Sequence, residues 1–452
     1  MKTLAAYAER VMRRILCYLV WFACTACVSC GGAKQPAAVA PPTSATPHLA
    51  DDFFPIMTWE LPPRSGRFSD AHAGLSSVTA CGFTVAGFVP PAMLPECKRL
   101  GLRAIVFGGD EIRRWGKLSD EQIESSVAKL VRGTEHDDTV LGYFICDEPG
   151  VAEFPAIAKA VAAVGRLAPG KIAYVNLFPN YATIGAPGLS QLGTASYDEY
   201  LERFITEVKP QLLSYDNYRV ETSRDLQDPK GTTSYFTNLM QARAAAQRHG
   251  IPFWQIVTCN QIRPYAHPPS PANLLLQAYT TLCSGGEGLT YFTYYAARYK
   301  TAPIDNEGRR TVNWSYLKMV NEQLRVIGPI MRRLKSTGVY FTQPADPSLK
   351  TLPGEIIAAL RSVTPIMVGE FAHREDGSRY VMLVNCGLAQ TTEISIAQHA
   401  PGYTLSQVSP VDGSLIPVNL GDLLWLAAGQ GVLLKLGDLA PSTAPTAKAA
   451  SH

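Results

Sequence analysis

The chain is short of what marks several large classes of protein. Only 17% of its 452 residues are charged, and 41 Lys and Arg stand against 38 Asp and Glu, a net charge of +3. Beyond the N-terminus there is no basic run or stripe, so a nucleic-acid partner finds no electrostatic footprint. No GxxxxGK[ST] loop occurs, which removes the usual cradle for nucleotide phosphates. No GxSxG occurs either, so a serine exposed on a sharp strand-to-helix turn is not indicated. Ten cysteines are present, and those past Cys30 show no CxxC or Cys/His spacing of a zinc site. No metal or other cofactor is expected. Six cysteines lie past Cys30, namely Cys81, Cys97, Cys146, Cys259, Cys283 and Cys386. Their apolar settings read as buried free thiols; a Cys81–Cys97 disulfide is the alternative in an exported protein.

What is present begins with a leader. Lys2, Arg10, Arg13 and Arg14 precede the short apolar run "ILCYLVWFACTACVSC". A basic segment followed by an apolar one of this size predicts an export signal over 1–30. The rival, a membrane anchor, needs a longer apolar span. "CVSCGG" followed by a Pro/Ala/Ser/Thr-rich stretch is similar to a lipoprotein cleavage site. That makes Cys30 the expected lipidated N-terminus, with Cys27 its rival. Residues 31–50 then form a disordered tether, and the protein is expected on the bacterial envelope, held to the membrane by lipid only.

From residue 51 the pattern is regular. Apolar runs at 53–60, 83–89, 103–109, 140–149, 172–179, 212–218, 252–260 and 288–295 read as eight strands. Helical patterns separate most of them, as in "DEQIESSVAKLVRG", acidic at its start and basic with glycine at its end. Strands alternating with helices pair in parallel through right-handed crossovers. The expected fold is therefore α/β, a (β/α)8 TIM barrel over 51–335. An open doubly wound sheet is the runner-up, but "LPPRSG" follows strand one where such a sheet carries a Gly-rich turn. Near 336 the pattern changes to period-two alternation with the Asp-Gly turns of "EDGS" and "VDGS". This predicts an antiparallel β-sandwich over 336–437 and a disordered tail over 438–452. With no clustered aromatics, the sandwich reads as a buttress for the barrel.

A barrel's chemistry lies at the C-terminal ends of its strands. Those ends carry Trp59 and Glu60, then Asp110 and Glu111, Asp147 and Glu148, Asn176, Tyr215, Asp216 and Tyr218, Asn260 and Gln261, and Tyr294 and Tyr295. Trp254 starts strand seven, and Trp115 and Tyr265 lie in predicted loops beside the cleft. There is no histidine cluster for metal hydrolysis. Carboxylates and amides among aromatics suit sugars: rings stack on sugar faces, and polar groups bind hydroxyls. Two carboxyl groups flanking a scissile bond, one protonated and one ionised, perform glycoside hydrolysis. The proton donor needs a raised pKa, which an apolar strand tip beside another acid supplies.

The stretch "GYFICDEP", with "YDEYLERFITEVKPQLLSYDNY" and "QAYTTLCSGGEGLTYFTYY", resembles the barrel of clan A glycoside hydrolases, in particular family-42-like proteins of bacterial lipoprotein type. In that clan strand four ends in Asn-Glu-Pro or Asp-Glu-Pro and the Glu is the acid/base, so the resemblance implies that Glu148 is the proton donor. Asp147 then either caps the next helix or holds Glu148 in place. The clan's nucleophile is a Glu ending strand seven, and "PFWQIVTCNQIRPY" has no acid there. The second carboxyl group is therefore expected from Asp216 first, or from Glu60. Glu287 precedes strand eight and belongs to the opposite end of the barrel. Trp59, Asp147, Asn176, Tyr215, Tyr218, Trp254, Asn260, Gln261, Tyr294 and Tyr295 are the expected substrate-binding residues. The rival function is a surface lipoprotein that binds glycan without cleaving it.

Overall fold

A computed structural model describes residues 49, 52–62, 68–108, 115–222, 233–398, 403–418 and 423–438. The export signal, Cys30, most of the tether, the tail, and Asp110 with Glu111 lie outside the described residues.

All eight apolar runs form strands: β1 (Ile56–Trp59), β2 (Val85–Val89), β3 (Arg103–Val106), β4 (Val140–Asp147), β5 (Ile172–Leu177), β6 (Leu213–Asp216), β7 (Phe253–Thr258) and β8 (Gly288–Phe292). They close into a barrel in chain order. Every neighbouring pair is parallel, and β8 returns to β1 through Trp59 opposite Phe292. The helices are α1 (Leu75–Ala80), α2 (Leu94–Arg99), α3 (Asp120–Val131), α4 (Phe154–Leu167), α5 (Tyr197–Arg203), α6 (Thr233–His249), α7 (Pro271–Cys283) and α8 (Val312–Arg332). In α3 the Ser119 side chain caps the Gln122 N–H while Gln122 reaches back to the Ser119 N–H, a reciprocal cap that fixes where the helix begins.

The barrel interior is filled from alternate residues of its strands, including Met57, Trp59, Ile105, Phe144, Ile172, Tyr174, Leu212, Trp254 and Ile256. Residues of opposite phase, such as Tyr143, Tyr215 and Tyr291, pack outward against the helices. This is a two-sided burial of parallel strands, and β4 shows it plainly: its first seven residues are buried and only Asp147 at the tip is exposed.

The C-terminal strands are β9 (Leu334–Phe341), β10 (Ile357–Arg361), β11 (Ile366–His373), β12 (Arg379–Asn385), β13 (Thr392–Gln398), β14 (Tyr403–Val408), β15 (Leu415–Val418), β16 (Leu424–Leu426) and β17 (Gly431–Asp438). A six-stranded antiparallel sheet, β15-β14-β17-β12-β11-β9, and a three-stranded sheet, β10-β13-β16, enclose their own apolar core of Ile357, Val368, Leu383, Ile394, Leu426 and Leu434. Glu370, fully buried on β11, accepts the backbone N–H groups of Glu355, Ile356 and Ile357, each at 2.9 Å. It pins the loop that leads into β10.

The two parts meet along α7. Every residue of this helix from Asn273 to Cys283 is buried, because one side packs on the barrel and the other under the six-stranded sheet. At its far end Cys283 lies against Gly369, where an added Cβ would sit 2.3 Å from the Cys283 carbonyl oxygen. All six cysteines past Cys30 are buried and none is joined in a disulfide. Among the described residues no helix is long and apolar enough to cross a membrane.

Candidate active site

The β4 strand ends where proline must end it. Asp147 pairs in register with Asn176 on β5, and the Asn176 amide donates to Asp147 Oδ1 at 3.1 Å. Glu148 follows with φ +49°, a left-handed backbone that costs a non-glycine residue and turns its side chain off the strand axis. The Glu148 N–H is held by the Asn176 carbonyl at 2.9 Å, and the Tyr200 hydroxyl donates to the Pro149 carbonyl at 2.7 Å. Below Asn176, Ser214 Oγ donates to its Oδ1 at 3.4 Å, and the Tyr174 and Ser214 hydroxyls lie 2.9 Å apart. A polar ladder thus climbs the inside of β5 and β6 to the acidic tip.

Alternation decides which β6 residues join it. Leu212 and Tyr218 belong to the interior and Tyr215 to the outer layer, so Ser214 and Asp216 share the inward phase. Asp216 is 4% exposed and its Oδ1 has no hydrogen-bond partner. Burial raises its carboxyl well above the ordinary range, and the charges of Glu148 and Asp147 push the same way; a hydrogen bond with Tyr218 works against them. Glu148, half-buried, is raised to about 7 by burial and then by the Asp147 charge. The structure therefore gathers Glu148, Asp147, Asp216, Asn176 and Tyr218 at one end of the barrel. Two carboxyls that feel each other release their protons in steps that belong to the pair, and the singly protonated pair offers an acid and a carboxylate together.

The other expected residues fall into two groups. Glu60 ends β1, exposed, with φ +59°. Trp59 is 6% exposed and lies just under the mouth, its ring 4.7 Å from Phe88 and 6.2 Å from Phe292. The Tyr218 ring stands 5.1 Å from Phe292, and half-buried Tyr295 packs on Phe68 at 5.1 Å. Five expectations are corrected. Tyr215 points outward because Asp216 points in. Tyr294 is fully buried behind β8, its hydroxyl 2.8 Å from Ser77 Oγ and 3.1 Å from Trp314 Nε1. Trp254 lies low in the barrel, 1% exposed, where Gly288 leaves room for its indole. Asn260 is fully buried and spends its amide on Thr293 Oγ1 at 2.8 Å. Gln261 donates to the Ala266 carbonyl at 2.6 Å and pins its own loop. Of the two loop aromatics, Trp115 is buried with its N–H on the Ile145 carbonyl, and Tyr265 is 72% exposed.

Sequence reasoning placed Arg219 at the end of strand six but missed Tyr181 and Glu221 as site neighbours. The Arg219 guanidinium lies over the Tyr181 ring at 4.3 Å, and the Asp216 charge helps burial raise the Tyr181 phenol. Glu221 is 1% exposed, accepts the Ile262 N–H at 3.2 Å through Oε2, and leaves Oε1 without a partner. Burial lifts it to about 7 against the pull of Arg263 and Arg219. No periodicity marks a loop acid as buried, so only coordinates reveal it. Glu287 lies at the foot of the barrel as expected, 3.1 Å from Arg374 and 3.8 Å from Arg332. It borders a cavity of about 860 Å³ between that foot and the sandwich, floored by Trp254. This cavity is at the opposite end from the acidic cluster. Among the described residues no group of three or more His, Cys, Asp or Glu is placed to hold a metal ion.

No protein-family model matches the sequence, and no curated protein matches it. Solved structures do share its shape. A family 42 β-galactosidase from G. stearothermophilus, in a catalytic-mutant form, superposes with a TM-score of 0.54 at 8% identity, over 80% of this chain and 95% of that one. A glycoside hydrolase of family 5 from Bacteroides vulgatus gives 0.53 at 11% identity, over 85% and 90%. An α-amylase from Anoxybacillus gives 0.50 at 10% identity, over 87% and 100%. At such identity the likeness is one of fold: an eight-stranded barrel followed by antiparallel sheets, a framework shared with glycoside hydrolases.

Proposed function

We propose that the protein is an exported glycoside hydrolase, held on the envelope by a lipid at Cys30, acting on an oligosaccharide or polysaccharide. The observation that carries this reading is the acidic cluster of Glu148, Asp147 and Asp216 at the C-terminal end of the barrel, with Glu148 raised to about 7. Glu148 protonates the leaving glycosidic oxygen. It holds a proton near neutrality and reaches solvent, as a general acid must. Asp216 is the second carboxyl group, from the inward phase of β6; it stabilises the charge that develops at the anomeric carbon, as nucleophile or as base toward water. Burial keeps the pair from ionising fully, so it retains a proton that can pass to the leaving group. The exposed Glu60 supplies polar contacts to hydroxyls and Tyr218 an aromatic face, while buried Asn176 positions Asp147.

The fold likeness to families 5 and 42 supports the reaction class and leaves the sugar open. Glycan binding without cleavage is the second reading, and the acid-free β7 tip favours it. One experiment separates them. With a panel of aryl glycosides and polysaccharides, the wild-type chain releases product from at least one, and Glu148→Gln loses at least ~100-fold in turnover, the usual contribution of a general acid. Unchanged cleavage by that variant overturns the assignment, and saturable binding without any product favours the second reading.

A further inference from the structure

Two loops at the barrel mouth carry cations that the acid/base chemistry does not use. Arg219 follows β6 and Arg263 follows β7, and Tyr181 lies beside them in the loop after β5. The Arg219 guanidinium stacks over the Tyr181 ring at 4.3 Å. Arg263 is half-buried, and among the described residues its guanidinium has no ion pair or hydrogen bond. Burial raises the Tyr181 phenol and the Asp216 charge adds to it, while the Tyr218 backbone, Arg219 and Arg263 pull the other way. Burial likewise raises Glu221, against the Ile262 N–H, Arg263 and Arg219. The two guanidiniums are thus within reach of one phenol and one carboxyl, and that phenol is within reach of Asp216 in the acidic cluster. The loops are stitched in place. The Arg219 N–H is held by Asn217 Oδ1 at 3.0 Å, and the fully buried Asn217 is anchored on Asn238. Glu221 accepts the Ile262 N–H through its carboxyl at 3.2 Å and the His267 N–H through its backbone carbonyl at 2.8 Å, which joins the two arginine loops. Loops fixed before binding lose little freedom when a ligand arrives.

One simpler role for the cations is to keep Asp216 ionised. That carboxyl is governed instead by burial, Glu148 and Asp147, with the Tyr218 hydrogen bond as the counterweight. Nor does Glu221 cancel both: it is one carboxyl between two guanidiniums, and burial lifts it to about 7. The arginines therefore keep positive charge at the rim of a cleft whose other charges are acidic. A neutral sugar needs no such charge, because amides and carboxylates meet its hydroxyls. An anionic sugar is repelled by Glu148, Asp147 and Asp216 unless cations answer it, and the guanidinium fork matches a carboxylate or a sulfate with two parallel hydrogen bonds.

We infer that Arg219 and Arg263, beside Tyr181, form a subsite for an anionic sugar next to the acidic cluster, so that the substrate is an acidic glycan, a polyuronide or a sulfated polysaccharide. The inference rests on the glycosidase reading for its choice of a sugar as the carrier of the charge. Its test is calorimetric titration of the full chain carrying Glu148→Gln, which leaves the ligand intact. Oligomers of galacturonate, alginate and hyaluronan are compared with their carboxyl-reduced, neutral counterparts, and carrageenan oligomers with desulfated ones. At least one acidic ligand binds ~10- to 100-fold tighter than its neutral counterpart, the scale of a charge-assisted hydrogen bond. The pair with the larger ratio tells a carboxylate from a sulfate. Adding Arg263→Ala lowers that ratio at least ~10-fold, and Arg219→Lys, which keeps the charge but loses the planar stack, lowers it less. Arg263→Gln takes the place of the alanine variant if truncation unfolds the loop. Equal affinity for acidic and neutral ligands, no binding of any acidic ligand, or a ratio unchanged by the Arg263 variant overturns the subsite. Wild-type turnover tells its failure from that of the hydrolase reading. Cleavage of glycans with no preference for acidic ones removes the subsite and keeps the hydrolase. Tighter binding of acidic ligands, lost with Arg263 and accompanied by no cleavage, keeps the subsite and removes the hydrolase.

Discussion

Glu148 keeps its proton to about pH 7 because two things oppose its charge: partial burial and the carboxylate of Asp147 beside it. The signs of two predictions follow from this. Removing the Asp147 charge favours ionisation of Glu148, so Asp147→Asn moves the alkaline limb of the kcat/KM profile to lower pH, read from an initial-rate pH series. A limb that stays in place shows that Glu148 is not the group titrating. The second prediction concerns stability. Folding raises this carboxyl above its ordinary 4.5, so the native state binds the proton more tightly. Its contribution to stability is complete below about pH 4.5 and is lost as pH rises through about 7. Glu148→Gln has no charge to bury. It therefore melts higher than wild type at pH 8, by a margin on the order of 3 kcal/mol at most, and equally at pH 4. Glu148 was legible in the sequence because an apolar run ended in an acid and a proline. Glu221 was not, since nothing in "YRVETS" tells a buried loop acid from a solvated one.

At the scale of single elements, phase and local hydrogen bonds decide most. All eight barrel strands were legible, because strands buried on both faces are unbroken apolar runs. That continuity hides which residues face the axis. Tyr215 and Asp216 are both buried, and hydropathy could not separate them; the inward neighbours of β6 do. The same limit explains Trp254 and Tyr294, aromatic residues near strand ends that pack floor and wall and not the opening. In the sandwich, Glu370 holds three backbone N–H groups of the loop before β10. Replacing it by alanine leaves those donors buried without partners, at roughly 1–3 kcal/mol each. Glu370→Ala is expected to lower the midpoint of urea unfolding by at least ~3 kcal/mol equivalent with an unchanged slope. A smaller loss means that water reaches the loop.

For the whole molecule, α7 is the shared wall. It is buried on all sides from Asn273 to Cys283, polar Gln277, Thr280 and Thr281 included, which is the burial of a core helix and not of a surface one. The barrel therefore lacks a finished exterior without the sheet laid against it. A chain ending before Leu334 would expose Leu275, Tyr279 and Cys283 to water, and is expected to aggregate or stay unfolded in size-exclusion and circular dichroism measurements. The intact chain is expected to unfold in a single calorimetric transition; two separated transitions would show that barrel and sandwich stand alone. The order of the two parts was legible from the switch between periods. Their dependence was not, because α7 reads from sequence as one more barrel helix.

The tip of β7 is closed to a simple exchange. Asn260 is enclosed, its amide given to Thr293, while Thr258 bonds back to the Asn260 carbonyl at 2.9 Å. A glutamate installed there in one step would lose the amide's bond to Thr293 Oγ1 and place an ionisable group at a fully buried position. An acid at this tip therefore demands exchanges at Asn260 and Thr293 together, and a single substitution there is expected to cost stability before it can add chemistry.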